Sequence, residues 1–535
     1  MSRRKDRRSV RTRFVATEPI PVSSLRDDVG DTTVAARTDG HSGRGEQRPP
    51  RQRSGSTEPL PMSHLQLLQA LACYAPLWDL AATIDATIQP HDGPGRPRTC
   101  ATIDILLFEQ ATWEVLSCRA VERTFADPTI WQALRNAVKT AWPDHPQRRL
   151  SEFPPTRDQH YRFRLRHLEH DDIINTIRTH NRDISCRIAT SIGLFNGDDS
   201  FTHPAKTSLV AGDATWIISM FNTPPGGQPY INPDTGEIMP RRSDPDAVSY
   251  HRAETGPGRY LITALARGAE GNERVILDLA FKPHKESDAT TFTNITLNLS
   301  NQLPNIRGTV YDMAIHAADT DRLLDAGLIP ISKVQRTSKN KPASANLGEH
   351  HFRTTVTAPA TTHIVYSLDG APCIQLVITG EAHFVPLVRE QLKRQRNNDG
   401  QHRIYGHWSI PHQPGIAQHL RGARTMIRHN SDPTERAHNT RRTRSLRPIP
   451  ENDPDFARLY GLREDTESMH HHLKQRLWNG RARTIGLQRQ TINHHAYQTR
   501  TALIALIATH YRTRHDLTAW FGHWQPPGAT TTLAA

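Results

Sequence analysis

Apolar residues first recur at helical spacing beyond Ser63, where Leu65, Leu68, Leu71 and Ala72 share one face. Two further apolar stretches follow, Ile103 to Leu116 and Thr129 to Val138, the second introduced by the Asp127-Pro128 turn. Together they predict three or four helices over residues 63–190. Past Phe201 the period shortens. Ser208 to Phe221 is apolar around one acid, and Tyr260 to Ala266 and Arg274 to Phe281 read as two more strands split by a Gly-containing turn. Residues 223–258, rich in Pro and Gly, read as a long loop. A helix over Glu286–Leu303, a strand over Arg307–Ile315 holding Asp312, a helix over Asp319–Ala326 and a strand over Leu328–Val334 complete the pattern. Strands first, then helix–strand–helix–strand, predicts a mixed α/β sheet. From Gln335 to Pro450 the pattern is broken by β-rich runs (Phe352–Val356, His363–Ser367, Ile374–Ile378) and an Arg-rich stretch, Lys393–Arg447. Residues 1–60 have no apolar periodicity and read as a disordered arm.

Charge changes this picture. Lys+Arg number 67 against 54 Asp+Glu, a net +13, and only ten of the 67 are Lys. Such a balance favours polyanionic partners, although Arg-rich codon usage produces the same count. Residues 401–450 hold nine Arg and two acids, a solvated loop or a phosphate-facing surface, and the second reading is preferred. Within it Arg441, Arg442 and Arg444 are the candidate DNA contacts. Gly93-Pro-Gly-Arg-Pro-Arg98 reads as a plain turn, with a minor-groove hook as the alternative. Several classes fall away. The apolar run Ala502–Ala508 is far short of the ~20 residues of a membrane span, and no apolar stretch follows the basic Met1–Arg13. Five scattered cysteines with no C-x-x-C pair fit buried thiols in a reducing interior. The expectation is a cytoplasmic, nucleoid-associated protein with no membrane partner.

The most informative string runs from Tyr460 to Lys474, YGLREDTESMHHHLK. Tyr460, Arg463, Glu467 and Lys474 fit Y-x2-R-x3-E-x6-K. On a single helix at 100° per residue, all four project within an arc of about 60°. A hydroxyl, a guanidinium, a carboxylate and an ammonium on one stripe make a poor core face and a good one for a metal beside a phosphate. Upstream, Asp213 and Asp312 each stand alone among apolar residues, where an acid is costly unless it has work to do. His470–His472 point in different directions on a helix and read as polar surface with one inward ring. His316, four positions after Asp312, carries no assigned role. Trp216 reads as core, while Trp408 is open between core and base stacking.

The string resembles the Tyr-Arg-Glu-Lys signature of DDE transposases of the bacterial insertion-sequence, cut-and-paste type. The resemblance covers roughly residues 205–510. It implies a ribonuclease-H-like mixed sheet with a β-rich insertion between the second Asp and the Glu. It implies too that Asp213, Asp312 and Glu467 form a catalytic triad holding two Mg2+, or Mn2+ in their place, while Tyr460, Arg463 and Lys474 hold DNA phosphates. The implied function is cleavage at element ends and strand transfer into target DNA, by a homodimer bridging two double-stranded ends. The alternatives are a nuclease of the same fold that cuts without joining, and an inactive copy that only binds DNA. The implied organisation is a basic arm (1–60), a helical region for DNA binding (61–200), a catalytic core in two parts (201–335 and 451–512) around the insertion (336–450), and a tail (513–535).

Overall fold

Helices open the fold in the order that the apolar spacing predicts, but they are shorter and more numerous. In this computed structural model the described residues are 20–21, 62–88, 100–223, 225, 230–231, 235–239, 242–248, 256–315, 317–336, 343–378 and 380–527. The arm over 1–60 (save 20–21), the Gly93–Arg98 turn and His316 lie outside them. Seven α-helices, not three or four, occupy the described part of 64–191: α1 (His64–Cys73), α2 (Ala75–Thr87), α3 (Thr102–Val115), α4 (Cys118–Ala126), α5 (Pro128–Ala141), α6 (Arg157–Phe163) and α7 (Asp171–Ser191). The added breaks are single residues that the apolar count passes over. Tyr74 leaves the helical region between α1 and α2, and Leu116 stops α3 in a left-handed conformation at φ 67°. Ser63 and Gln66 form a reciprocal capping box on α1, and Asp127 caps α5 ahead of Pro128.

Helix α3 is buried from Thr102 to Glu114. It carries three acids inward, and each is met. Asp104 accepts from the Ser151 hydroxyl, Glu109 from Asn493 at 2.9 Å and His160 at 2.8 Å, and Glu114 from Arg500. Burial alone would raise the Glu109 pKa; the hydrogen bond and charge of His160 hold it down to about 2.

Next come β1 (Leu209–Ile218), β2 (Gly258–Arg267), β3 (Arg274–Phe281), α8 (Asp288–Gln302) and β4 (Gly308–Val310). The strands lie side by side as β3–β2–β1–β4, with β1–β2 and β2–β3 antiparallel and β4 parallel to β1. Two later helices, α9 (Arg463–Gln475) and α10 (Leu487–Thr513), cover this sheet; α9 packs on β1 and β2, and α10 on β3, α7 and α3. Gly212 is required by close approach, since a Cβ there would fall 2.0 Å from the Phe292 ring of α8. The expected strand Arg307–Ile315 shrinks to three residues. Its Asp312 is two positions past the end of β4, where the side chain captures the Ala314 amide at 2.8 Å and turns the chain out of the ladder.

The chain divides into two compact units. Thr57–Asp199, Pro204–Tyr311 and Gly461–Ala535 form one, so the N-terminal helices and the sheet with its covering helices share a unit. Asp312–Tyr460, with Ser200–His203 and the strand Ile20–Pro21, forms the other. In that second unit an antiparallel sheet runs in the order Ile20–Pro21, Glu381–Pro386, Ala371–Ile378, Thr361–Leu368, Ser344–Phe352. The strand expected over Phe352–Val356 instead ends at Phe352. A three-stranded sheet follows, Val388–Arg396, His402–Ser409 and Arg424–Arg428, so much of the Arg-rich stretch is β-structure and not loop. Its core joins Phe352, Val365, Ile374, Val385, Ile427 and Trp408; the Trp408 ring is buried and closed to base stacking.

The fold is thus mixed α/β with a helical N-terminal region and additional sheets. All five cysteines are free thiols. Among the described residues no single helix is long and apolar enough to cross a membrane. Helices α1 and α2 would meet that length only as a pair, and they are bent by 52°.

Candidate active site

Asp213 sits in the middle of β1, half-buried, opposite Thr263 of β2 in the antiparallel register. Helix α9 is pinned over this point. Its His470 ring is buried and shares a 2.8 Å hydrogen bond with the Thr263 hydroxyl. Burial and the nearby Lys474 ammonium push the His470 pKa down to about 3, so the pin is a neutral imidazole. Asp465, also buried, anchors the first turn of α9 through Arg267 at 2.5 Å and Arg274 at 3.1 Å, and Arg274 donates to Ser468 at 3.1 Å. These contacts use one side of the helix and set the other edge against β1.

On that edge stand Arg463, Glu467 and Lys474. The Arg463 guanidinium bridges two carboxylates, Glu467 at 2.8 Å and Asp213 at 3.8 Å. Burial lowers the Lys474 pKa, and the Asp213 charge partly offsets it, which places the ammonium within electrostatic reach of the same carboxylate. Glu467 is 52% exposed and Asp213 15%. The site is therefore open on the helix side and sheltered on the strand side. An exposed i,i+4 pair such as Arg463–Glu467 contributes only about 0.3–0.5 kcal/mol, so either partner can be drawn away by a stronger one. Arg463 also stands at the N-terminal end of α9, where the helix dipole disfavours a cation and favours an anion.

The four-residue stripe does not lie on one helix. Tyr460 ends a separate helix, Pro454–Tyr460, and α9 begins at Arg463 after a break at Gly461-Leu462. The physical reason is Gly461, which lowers the cost of leaving the helix, followed by Leu462, whose buried side chain takes the turn into the core. Tyr460 stacks on Phe456 (centroids 5.0 Å) with the Lys333 ammonium 5.3 Å from its ring. It belongs to the other unit, as does Asp312. Phe292 packs against Gly212 and stacks on Tyr311 (centroids 4.5 Å), so one ring contacts the residues immediately preceding Asp213 and Asp312.

Of the candidate residues, Asp213, Arg463, Glu467 and Lys474 are brought together. The three candidate arginines of the insertion, Arg441, Arg442 and Arg444, have partners inside their own unit. Arg441 donates to Asp321 at 3.1 Å, and Arg442 is held by Glu435 at 2.8 Å and by the Arg428 carbonyl at 3.0 Å. Arg444, bonded to Asn439 at 2.8 Å, keeps an exposed side chain. Of the three histidines, His470 is the inward ring, and His471 and His472 are exposed. Trp216 is core, its indole N–H donating to the Gly256 carbonyl at 3.3 Å. The positioning residues Thr263, Arg267 and Arg274 carry no signal in the sequence; Gly212, a glycine inside a strand, is the one available hint.

Among the described residues no three His, Cys, Asp or Glu side chains are grouped as metal ligands. Asp213 and Glu467 do form a carboxylate-oxygen pair, the donor type that hard divalent cations take, and both already turn toward one cation, the Arg463 guanidinium. No protein-family model and no curated protein matches the chain.

Proposed function

We propose that this chain is a DNA transposase, cutting phosphodiester bonds at element ends and joining the freed 3′-OH to target DNA. One observation carries the reading: Arg463 bridges Asp213 on the central strand to Glu467 on a helix packed against it. A ribonuclease-H-like sheet is supported by three antiparallel strands in sequence, a covering helix, and a fourth strand returning parallel to the first. Asp213 and Glu467, with Asp312 as the third acid, are the residues that would hold divalent ions. Bound there, such ions supply charge stabilisation for phosphoryl transfer and lower the pKa of water.

The protein's own groups have separable tasks. Glu467 and Asp213 release Arg463 cheaply, because their shared pair is weak, and its guanidinium then takes a phosphate oxygen pair in a fork. Lys474 adds a point charge behind it. His470 and Asp465 hold α9 at fixed height over β1, so the phosphate-holding edge does not drift during two successive transfers. Two copies of the chain, each on one double-stranded end, complete the proposed assembly.

The test is to incubate the full chain with its own flanking DNA, Mg2+ or Mn2+, and a supercoiled target, scoring nicked and joined products separately. Wild type is expected to do both. Glu467→Gln should reduce nicking by about 10²–10³-fold or more, the usual loss for one charge-stabilising group, with DNA binding retained. Arg463→Ala should impair joining of pre-cut ends more than nicking. Nicking without joining under either metal would replace the transposase reading with a nuclease; undiminished nicking by Glu467→Gln would remove the site itself.

A further inference from the structure

On the side of α9 away from Asp213, residues of α1, α3, β3, α9 and α10 line an open cavity of about 550 Å3. Arg274, Arg476, Arg500, Glu114 and Tyr497 line it. Three guanidiniums, Arg274, Arg476 and Arg500, line it, and together with Arg267, outside the lining, they share two carboxylates. Arg267 and Arg274 both turn to Asp465, while Arg500 donates to Glu114 and Arg476 stands 3.9 Å from it. Glu114 is 1% exposed and Asp465 8%, so each carboxylate is buried against two guanidiniums, and the exposed His64 stands 3.7 Å from Glu114 as well. Arg476 is held below its ordinary pKa by burial and by the neighbouring Arg500 charge, and burial lowers Arg274 as well. Partly buried like charges in this number are unfavourable unless an anion completes them. The lining also has an apolar part, Leu67, Met469 and Ile504 with the Tyr497 ring. A cavity of this size, apolar with a few converging polar groups, matches small-ligand sites of roughly 300–1,000 Å3.

We infer that this cavity binds a phosphate monoester of nucleoside-monophosphate size, its phosphate between Arg476 and Arg500 and its organic part on the Leu67–Met469–Ile504 wall. Arg476 keeps donors for this while bonding the Trp113 carbonyl at 2.7 Å, since a guanidinium carries five. This site stands whether or not the Asp213 edge cuts DNA. It meets that edge through α9, whose Met469 lines the cavity and whose Asp465 pairs with the cavity's Arg274 from β3.

The test is calorimetric titration of the full chain with AMP, inorganic phosphate, adenosine and a short single-stranded oligonucleotide, without divalent metal. AMP is expected to bind saturably, phosphate more weakly, and adenosine not at all. Arg476→Gln should weaken AMP by at least about tenfold, the loss of a charged hydrogen bond, with an unchanged circular-dichroism spectrum; Arg444→Gln should bind as wild type. No saturable binding of AMP, equal binding by Arg476→Gln, or binding of the oligonucleotide alone would each overturn the proposal. Ile504→Trp, which fills the apolar wall and leaves every charge in place, guards against a folding defect. It should abolish AMP binding and spare that of phosphate, and unchanged AMP affinity would again overturn the site.

Discussion

Along the chain, residues 401–450 set nine arginines against two acids, while residues 460–476 set Arg463, Lys474 and Arg476 against Glu464, Asp465 and Glu467. Folding reverses the two characters. In the first region acids arrive from the helix Ala318–Asp325: Asp321 takes Arg441, and Asp325 takes Arg436 at 2.8 Å with Arg403 at 3.6 Å. Arg447, fully buried, is spent on Ser332 and backbone carbonyls. In the second region Asp465 is drawn inward by Arg267 and Arg274, and Arg500 joins Arg476 at Glu114. The region that looked like a cationic surface is largely an internal ion-pair network. The region that looked balanced gathers arginines beyond its acids. Local charge counts mislead because a half-buried arginine finds its partner by desolvation and proximity, which ignore sequence distance.

The largest expected effect breaks the first half of that contrast. Asp321 is 2% exposed and also accepts from the Ser431 amide at 2.8 Å. Asp321→Ala should cost about 3–5 kcal/mol in urea denaturation, because it strands Arg441 and the Ser431 amide, while Arg436 keeps Asp325. Arg444→Ala should stay within about 0.5 kcal/mol. Equal, small effects for both would return the segment to a solvated surface.

A smaller effect sharpens the second half. Burial holds His470 neutral with a pKa near 3, and His494 and His495 near 4, against an ordinary 6.5. With the folded pKa depressed, the unfolded chain binds more protons below 6.5. The stability from neutral His470 is therefore complete above pH 6.5 and drains away as pH falls toward 3. His470→Gln should flatten the fall of unfolding free energy between pH 6.5 and 4 by about 1.4 kcal/mol per pH unit. Parallel pH profiles for variant and wild type would mean that α9 is not pinned by a neutral ring.

The smallest effect concerns DNA binding. With Arg441 and Arg442 engaged internally, Arg441→Ala should leave the slope of log K against log salt unchanged, and Arg444→Ala should flatten it by about 0.9 or less. A flattening of about 0.9 for Arg441→Ala would show that its pair with Asp321 opens to take a phosphate.

Much of the unit holding the central sheet was legible in order and position. Arg274–Phe281 is a strand at the bounds that the apolar run predicts, and Asp288–Gln302 is a helix within one or two residues of them. Period-2 and period-3.6 burial leave their mark wherever one face meets a core. Breaks were not legible, because a single residue decides them: Tyr74, Leu116 and Gly461 each end a helix within an otherwise continuous pattern. Asp312 reads as a strand residue, yet its own side chain ends the ladder by capturing Ala314. The candidate site was half legible. Arg463, Glu467 and Lys474 follow from helical spacing, whereas Asp213 needed the resemblance to single it out, since Asp278 is an equally lone acid in an apolar strand and is taken by Arg178.

What the sequence determined alone is local: which segments are helix or strand, and which polar residues share a helix edge, because backbone periodicity is a property of neighbours. What only the tertiary structure decided is pairing across distance. It set Arg463 between Asp213 and Glu467, Thr263 against His470, Asp321 against Arg441, and Arg500 beside Arg476. These partners are separated by intervening strands and helices, and their electrostatic worth appears only once packing has removed the water between them.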